Sequence, residues 1–357
     1  MKKYALLKAA IIVFPVILLC GCASFGPRTI SPDRIEYIQE IGESWKKQML
    51  LNIVKLRYFD PPTFLDVSSI INQYGMENQV NADMRWYWPI PSASSGYNSG
   101  VGGYSRYSDK PTITYTPLSG QKFTKNLLTP IPPAAVVSLI QSGWPIDMIF
   151  ALTVKTVNGV TNSPREKDSG NDQKDFNRLV LAMRTVQRAG VTDIRLEKVN
   201  DKEAVVFVIS DAVNKEMYRE ETETIRGILK INPGISSYKI VFGALSKQDD
   251  EIALLTRSML EIMLEMGAMV EVPADHVAEK RVKETVPFFG EEWMRTRIHS
   301  SRDKPADVFT AIRYQDYWFW IDNKDIDSKR NFALLMIFLS LTESEQKASA
   351  PVLTIGG

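Results

Sequence analysis

Two histidines are the side chains in this sequence with the widest catalytic and metal-binding uses. His276 and His299 have carboxylates near them in sequence, such as Asp275 and Glu292. They lack the spacing by which one helix of a metalloprotease presents two histidines to zinc. Both histidines lie in polar stretches of the chain. We therefore predict two solvated surface histidines rather than a histidine-based active site.

Serine nucleophiles need a base or a sharp turn beside them, and the sequence contains no complete motif of that kind. The segment 234–238, Gly-Ile-Ser-Ser-Tyr, comes nearest to a nucleophile elbow but lacks the closing glycine. Ser-x-x-Lys occurs at 44–47 and at 119–122, without the Lys-Thr-Gly that accompanies it in penicillin-binding enzymes. Two such matches are expected by chance, so we predict that the protein is not an enzyme.

The densest acidic cluster, at 322–328, resembles a calcium loop only in its oxygen content. A calcium-binding EF-hand loop has glycine at its sixth position and glutamate at its twelfth, where this sequence has Asp327 and Ala333. Asp325 or Asp327 is better explained as the cap of a following helix. We expect neither a metal nor a cofactor. A hydrolase that uses only Asp and Glu stays open as an unfavoured alternative, since no acidic pair stands out.

The N-terminus carries the most specific pattern in the chain. Lys2 and Lys3 precede an apolar run over 9–19, and Leu19-Cys20-Gly21-Cys22 follows it. A basic start, a short apolar segment and a small-residue cleavage site are typical of a secretory signal. The last four residues resemble the lipobox of bacterial lipoproteins. That resemblance implies a signal peptide over 1–21, a lipid on Cys22 as the membrane contact, and a lipidated tether over 22–30.

The same resemblance implies a location in the cell envelope. Ala23 and Ser24 follow the lipobox cysteine, and an aspartate there would retain the protein in the inner membrane of enterobacteria. The implied location is the outer membrane, facing the periplasm, or the cell surface if the host has one membrane. The remainder resembles an uncharacterised family of envelope lipoproteins, which implies no functional residues. Cys20 and Cys22 are the only cysteines, so the mature fold would hold no free thiol and no disulfide.

Charge argues against one class of partner. The chain has 43 basic and 42 acidic residues, a net charge of +1. Proteins that bind nucleic acids use an excess of Lys and Arg to neutralise phosphates. We therefore expect no nucleic acid among the partners.

Aromatic residues supply the candidate contacts. The alternation of a strand places Trp86 and Trp88 on one face, and Tyr97, Tyr104 and Tyr107 lie in a Ser/Gly/Tyr-rich segment, 89–110. That segment is predicted to be a loop. Such residues bind protein partners adaptably, and aromatic rings also stack on sugars. Two other interpretations compete with this one. Trp86 and Trp88 could pack in the core or at its rim, and 89–110 could be a variable insertion that has no function.

The elements that position these residues predict an α+β fold with mixed and antiparallel sheets. An N-terminal α+β region, 31–145, begins with a helix at Ser31, continues with strands that turn near Gly75, and ends with a strand at 112–116 and a helix at 134–141. The next region, 146–245, has the order β-α-β-β-α-β, which predicts a ferredoxin-like (split βαβ) unit. Its first strand is placed at 149–157.

A second α+β unit is predicted over 246–357. It begins with a helix capped by Ser246, which continues to Gly267. A hairpin over 308–322 and a helix from Asp325 or Asp327 to Leu341 follow, and a last strand covers 352–355.

The leading functional prediction is a non-catalytic, membrane-anchored scaffold or accessory subunit of a cell-envelope assembly, with an envelope protein as partner. The first alternative is a glycan- or peptidoglycan-binding lipoprotein that uses Trp86, Trp88 and the nearby tyrosines. The second is the carboxylate-based hydrolase.

Overall fold

The structure, a computed structural model, describes residues 26–71, 74–84, 99–165, 170–199, 202–209, 216–288 and 290–343. It contains two compact units. One comprises the residues up to 62 and from 121 onward, here called the body, and the other comprises Thr63–Gly120, here called the β ribbon. These limits differ from the predicted boundaries near 145 and 245, because the described strands of 63–120 pair with one another.

The described elements confirm a mixed α+β fold with mixed and antiparallel sheets. The helices are α1 (Gly26–Arg57), α2 (Gly120–Leu128), α3 (Pro133–Gln141), α4 (Ile146–Thr153), α5 (Gly170–Arg188), α6 (Arg219–Leu229), α7 (Met259–Ala268), α8 (Ala274–Ala278) and α9 (Ile326–Glu343). The strands are β1 (Phe64–Ile71), β2 (Tyr74–Met84), β3 (Ser99–Asp109), β4 (Thr112–Leu118), β5 (Val154–Val157), β6 (Val160–Thr161), β7 (Thr192–Val199), β8 (Lys202–Ile209), β9 (Ser237–Phe242), β10 (Glu251–Thr256), β11 (His299–Ser301), β12 (Val308–Tyr314) and β13 (Tyr317–Asp322). Among the described helices, none is long and apolar enough to cross a membrane.

The main sheet of the body has the strand order β6-β5-β10-β9-β8-β7. Only β9 and β10 are parallel; the other neighbours are antiparallel. The ferredoxin-like unit is not confirmed. Its first strand should lie between the third and fourth, whereas β9 pairs directly with β8, and β10 lies between β9 and β5.

Two element assignments in the body differ from the sequence prediction. Residues 146–153 form α4, so the predicted strand 149–157 is reduced to β5, and Thr153 closes the helix through a hydrogen bond to the Ile149 carbonyl. Residues 251–256 form β10 rather than a helix capped at Ser246. The helix starts at Met259, where Ser258 and Glu261 form a reciprocal capping box.

The C-terminal hairpin and helix are confirmed. β12 and β13 form the antiparallel pair predicted over 308–322, and β13 is the central strand of a three-stranded sheet with β11. Asp325 caps α9, since its Oδ1 accepts the backbone N–H of Ser328 at 3.0 Å. Phe319 and Phe332 are fully buried in the body. The predicted strand 352–355 lies outside the described residues.

The β ribbon is a long two-stranded antiparallel hairpin made of two ladders, β1 with β4 and β2 with β3. Ile71 pairs with Thr112, and Tyr74 pairs with Asp109. Three residues forward on one strand match three residues back on the other, so β2–β3 has the same register as the end of β1–β4; within β1–β4 the register shifts by one residue between Val67 and Ser69. Residues 99–109 are therefore a strand rather than part of a loop over 89–110, and residues 89–98 lie outside the described residues. Gly75 lies within β2, opposite Ser108, and not at a turn.

Candidate functional site

The β ribbon has one face rich in apolar residues and one rich in polar residues. The register places Val67 opposite Tyr115 and Ile70 opposite Ile113 on one face. Tyr115 is 58% exposed and Ile113 is 40% exposed, whereas Val67 and Ile70 are half-buried. Thr112, Thr114 and Thr116 lie on the other face, as the alternation in the sequence predicts. The alternation continues into β2, where apolar residues hold most positions of the first face: Tyr74, Met76, Val80, Ala82 and Met84.

The edges of the ribbon are open. Each sheet of this unit has two strands, and among the described residues no third strand pairs with either of them. An unpaired edge presents a row of backbone N–H and C=O groups that another strand can satisfy. A two-stranded hairpin is only marginally stable alone in water. At about 3.3 Å per residue, the eleven residues of β2 extend about 36 Å along such an edge.

The predicted aromatic contacts do not form one described surface. Trp86, Trp88 and Tyr97 lie outside the described residues. Tyr104 is 48% exposed, and its hydroxyl donates to Glu77 Oε1 at 3.0 Å. Tyr107 is opposite Met76 in the ladder, so strand alternation places Tyr104 and Tyr107 on opposite faces of the ribbon.

Two pockets lined by described residues of the body are candidates for chemistry. The first, here called the Asp275 pocket, has a volume of about 280 Å³ and is lined by α8 and the β12–β13 turn together with Arg302. Asp275 accepts hydrogen bonds from the Tyr317 hydroxyl at 2.7 Å and from Arg302 at 2.8 Å. These hydrogen bonds, with that from Tyr317 the largest cause, lower the pKa of Asp275 to about 2.

His276 follows Asp275 and is buried, at 4% exposure, so the prediction of a solvated surface histidine is wrong for this residue. Its Nδ1 lies 2.8 Å from the Tyr58 hydroxyl, at the end of α1. Burial raises the pKa of Tyr58 to about 12, so this hydroxyl keeps its proton at neutral pH. The pair ties two segments 218 residues apart in sequence.

His299 is half-buried and forms an ion pair rather than standing free in solvent. Its Nδ1 lies 2.9 Å from Glu271 Oε2. Because an ionised carboxylate only accepts, Nδ1 carries the proton in this hydrogen bond. The bond raises the pKa of His299 and lowers the pKa of Glu271.

The second pocket, here called the Arg257 pocket, has a volume of about 390 Å³. Arg257 is 5% exposed and donates to the carbonyls of Ala151 at 3.1 Å, Leu152 at 3.2 Å and Asn162 at 2.7 Å. Two of these carbonyls belong to the last turn of α4, where a cation offsets the negative end of the helix dipole. Burial lowers the pKa of Arg257 from its usual value.

Acidic side chains at the rim of the Arg257 pocket are held by cations. Arg165 makes a two-pronged pair with Glu265, at 2.8 and 2.6 Å. Lys155 lies 3.1 Å from Glu261, whose carboxylate also belongs to the capping box of α7. The hydrogen bonds from Ser258 and Lys155 outweigh burial and lower the pKa of Glu261.

This chemistry favours structural roles for both pockets. A general acid needs a carboxyl with a raised pKa, near the pH at which it works. Glu261, Glu271, Asp275 and Asp325 instead have lowered pKa values, because hydrogen bonds or ion pairs stabilise their charged forms. Such carboxylates serve as acceptors that fasten neighbouring elements, and as poor proton donors.

Within the described residues, no group of three His, Cys, Asp or Glu side chains is placed to hold a metal ion. Cys22, the predicted lipid attachment, lies outside the described residues.

Comparison with known proteins adds no assignment. No protein-family model, no curated protein and no solved structure matches this chain.

Sequence reasoning missed the features that make the ribbon a candidate surface. The signal was present as alternation of apolar and polar residues over 74–84, which is typical of a half-buried strand. The glycines and serines of 99–109 concealed the partner strand, since glycine and serine are also the residues of loops.

Proposed function

We propose that this protein is a non-catalytic, lipid-anchored subunit of a cell-envelope assembly, and that the β ribbon is the element that joins the assembly. The observation that carries the proposal is the open ribbon itself: no third strand among the described residues pairs with it, and Ile113 and Tyr115 on its apolar face are exposed. A partner strand would satisfy the edges and remove apolar area from water, at about 25 cal/mol per Å².

The anchor part of the proposal depends on the lipobox-like residues around Cys22. Its test is metabolic labelling with a palmitate analogue, followed by membrane fractionation. Labelled parental protein in the outer-membrane fraction supports the proposal. A Cys22→Ser variant that is labelled and fractionates like the parental chain contradicts it.

The joining role of the ribbon can be tested by shortening it at a point that the register defines. Because Ile71 and Thr112 face each other directly, residues 72–111 can be replaced by Asn-Gly, which favours a two-residue hairpin turn. The variant keeps the β1–β4 ladder and every residue of the body. Native gels of detergent-solubilised membranes then report whether the protein still migrates in a large complex.

We expect the complex to be lost while the thermal unfolding of the body is unchanged. A matched control is the double substitution Ser68→Ala, Ser69→Ala in the full-length ribbon, which keeps both edges of β2 and β3. An unchanged complex in the shortened variant, or a strictly monomeric parental protein in membranes, refutes the joining role.

The glycan-binding alternative has a separate test. It predicts that a Trp86→Ala, Trp88→Ala variant loses sedimentation with purified sacculi. The opposite faces of Tyr104 and Tyr107 favour the assembly role, since a single sugar surface would contact one face of the ribbon.

A further inference from the structure

Of the two ladders of the ribbon, β2 with β3 has the more regular edges, because its register has no shift, whereas that of β1 with β4 shifts between Val67 and Ser69. β2 and β3 have eleven residues each and contain no proline. In the other ladder, Pro111 precedes β4 and Pro117 lies within it, and neither has a backbone N–H to donate. Pairing with a further strand is therefore most favourable along β2 and β3.

The two edges differ in charge. The strand segment 64–84 carries three acidic residues, Asp66, Glu77 and Asp83, and its described residues include no base. The opposite strand, β3, carries one base, Arg106, and one acid, Asp109, and Lys110 follows its last residue. An edge with acids and no base is more compatible with this strand, which carries a base, than with a second acidic edge. Pairing two acidic edges would instead bring acids together, which is unfavourable.

We infer, on the basis of the proposed function, that the partner of the ribbon is a second copy of this chain. β2 of one copy pairs with β3 of the next in antiparallel orientation, so that Glu77 and Asp83 lie along a strand that carries Arg106 rather than along a second acidic strand. Successive ribbons then continue a single intermolecular sheet, with their apolar faces on one side and their polar faces on the other.

The size of this contact is sufficient for a specific interface. An antiparallel ladder makes about one backbone hydrogen bond per residue pair, so eleven pairs give on the order of ten. A typical protein–protein interface has about ten direct hydrogen bonds. Gly100, Gly102 and Gly103 lie in β3, and glycine within a strand permits a close approach of another backbone.

The geometry also determines the symmetry of the product. Joining two different edges makes a heterologous contact, after which the joined pair still has one free edge of each kind, one on each copy. Such contacts produce a closed ring or an open filament rather than a two-fold dimer. The mass of the purified protein therefore distinguishes this arrangement from a simple dimer.

The test uses two full-length chains that each carry one added cysteine on the polar face of the ribbon. The first carries Gln79→Cys on β2. The second carries Gly102→Cys, Tyr104→Cys or Ser108→Cys on β3, which samples the stagger between copies. The proteins are purified in detergent, mixed, oxidised and examined on non-reducing gels, and the parental chain gives the background from Cys20 and Cys22.

We expect disulfide dimers in the mixture of the two chains and not in either chain alone, together with a parental protein larger than a dimer by light scattering. Dimers of the Gln79→Cys chain alone would overturn head-to-tail pairing. A parental protein that is purely monomeric after purification would overturn self-assembly. If a ribbon-dependent complex then persisted in membranes, the proposed function would stand with a different partner; a complex that survived shortening of the ribbon would refute the proposed function itself.

Discussion

Arg257 gives the sharpest stability prediction for the body. We consider Arg257→Met, which keeps a long flexible side chain and removes the guanidinium. The carbonyls of Ala151, Leu152 and Asn162 then lose their common donor. The two longer bonds share Nη1, so we count them as one, and the bond to Asn162 as a second.

Hydrogen bonds to charged groups contribute about 1.5–3 kcal/mol each. The lower end applies here, because the adjoining pocket of about 390 Å³ admits water to the freed carbonyls. Two bonds at about 1.5 kcal/mol give a loss of about 3 kcal/mol in the free energy of unfolding. For a domain of this size that corresponds to a fall in Tm of about 6–12 °C.

The assay is thermal and urea unfolding of the full chain, followed by circular dichroism. Arg178→Met is the matched control, since Arg178 lies exposed on α5 and pairs only with Asp175, at 3.4 Å, among the ion pairs described for it. We expect the control to change stability by less than about 0.5 kcal/mol. An Arg257→Met variant as stable as the control would refute the role of the guanidinium as a cap of α4.

Two further predictions concern pH and backbone packing. The hydrogen bond between His299 and Glu271 raises the pKa of His299 above its ordinary value of 6.5 and lowers the pKa of Glu271 below its ordinary value of 4.5. The stability that this bond contributes is therefore fully present between pH 4.5 and pH 6.5. It is lost as pH rises through the pKa of His299 or falls through the pKa of Glu271. Unfolding curves across pH should show the parental advantage over Glu271→Gln largest near pH 5.5, and a constant difference would contradict this. Gly267→Ala should lower the Tm, because the added Cβ would lie 3.2 Å from the Ile53 carbonyl oxygen. The control is Gly227→Ala on α6, where the added Cβ meets open space and the higher helix propensity of alanine should raise the Tm. Equal shifts in the two variants would contradict the packing argument.

Elements with strong local signals could be predicted from the sequence. The hairpin of β12 and β13, the cap at Asp325 and the helix at 134–141 are all specified by residues close together in the chain. Binary patterning, turn residues and a capping side chain act over a few residues, and they do not depend on the rest of the fold.

The sequence predicted a helix where residues 251–256 form β10, and this error has a physical origin. Residues 252–255 are apolar in succession, and Ser246 with Asp249 imitates a helix start. A short apolar run in a buried strand cannot be distinguished from a buried helix by periodicity. The true start of α7 could have been predicted from the sequence, since Ser258 and Glu261 have the spacing of a capping box. Asn158-Gly159, the turn between β5 and β6, was a similar local signal, since Asn-Gly favours a two-residue hairpin turn.

The pockets could not be predicted, because their partners come from distant parts of the chain. Tyr58 and His276 meet only when α1 and α8 are placed by the fold. A polar sequence around His276 suggested exposure, yet buried polar groups are ordinary when each finds a hydrogen-bonding partner. The register of β2 with β3 is likewise non-local, and the glycines of β3 give it little strand propensity of its own.

The low strand propensity of β3 also supports the proposal that the ribbon pairs with another chain. A strand with three glycines gains little from its own side chains, and one neighbour satisfies only half of its backbone groups. Further pairing supplies the missing hydrogen bonds without requiring any change in the body. The two pockets differ in this respect, since their carboxylates already accept hydrogen bonds within the chain. Function in this protein is therefore best sought at the edges of the ribbon.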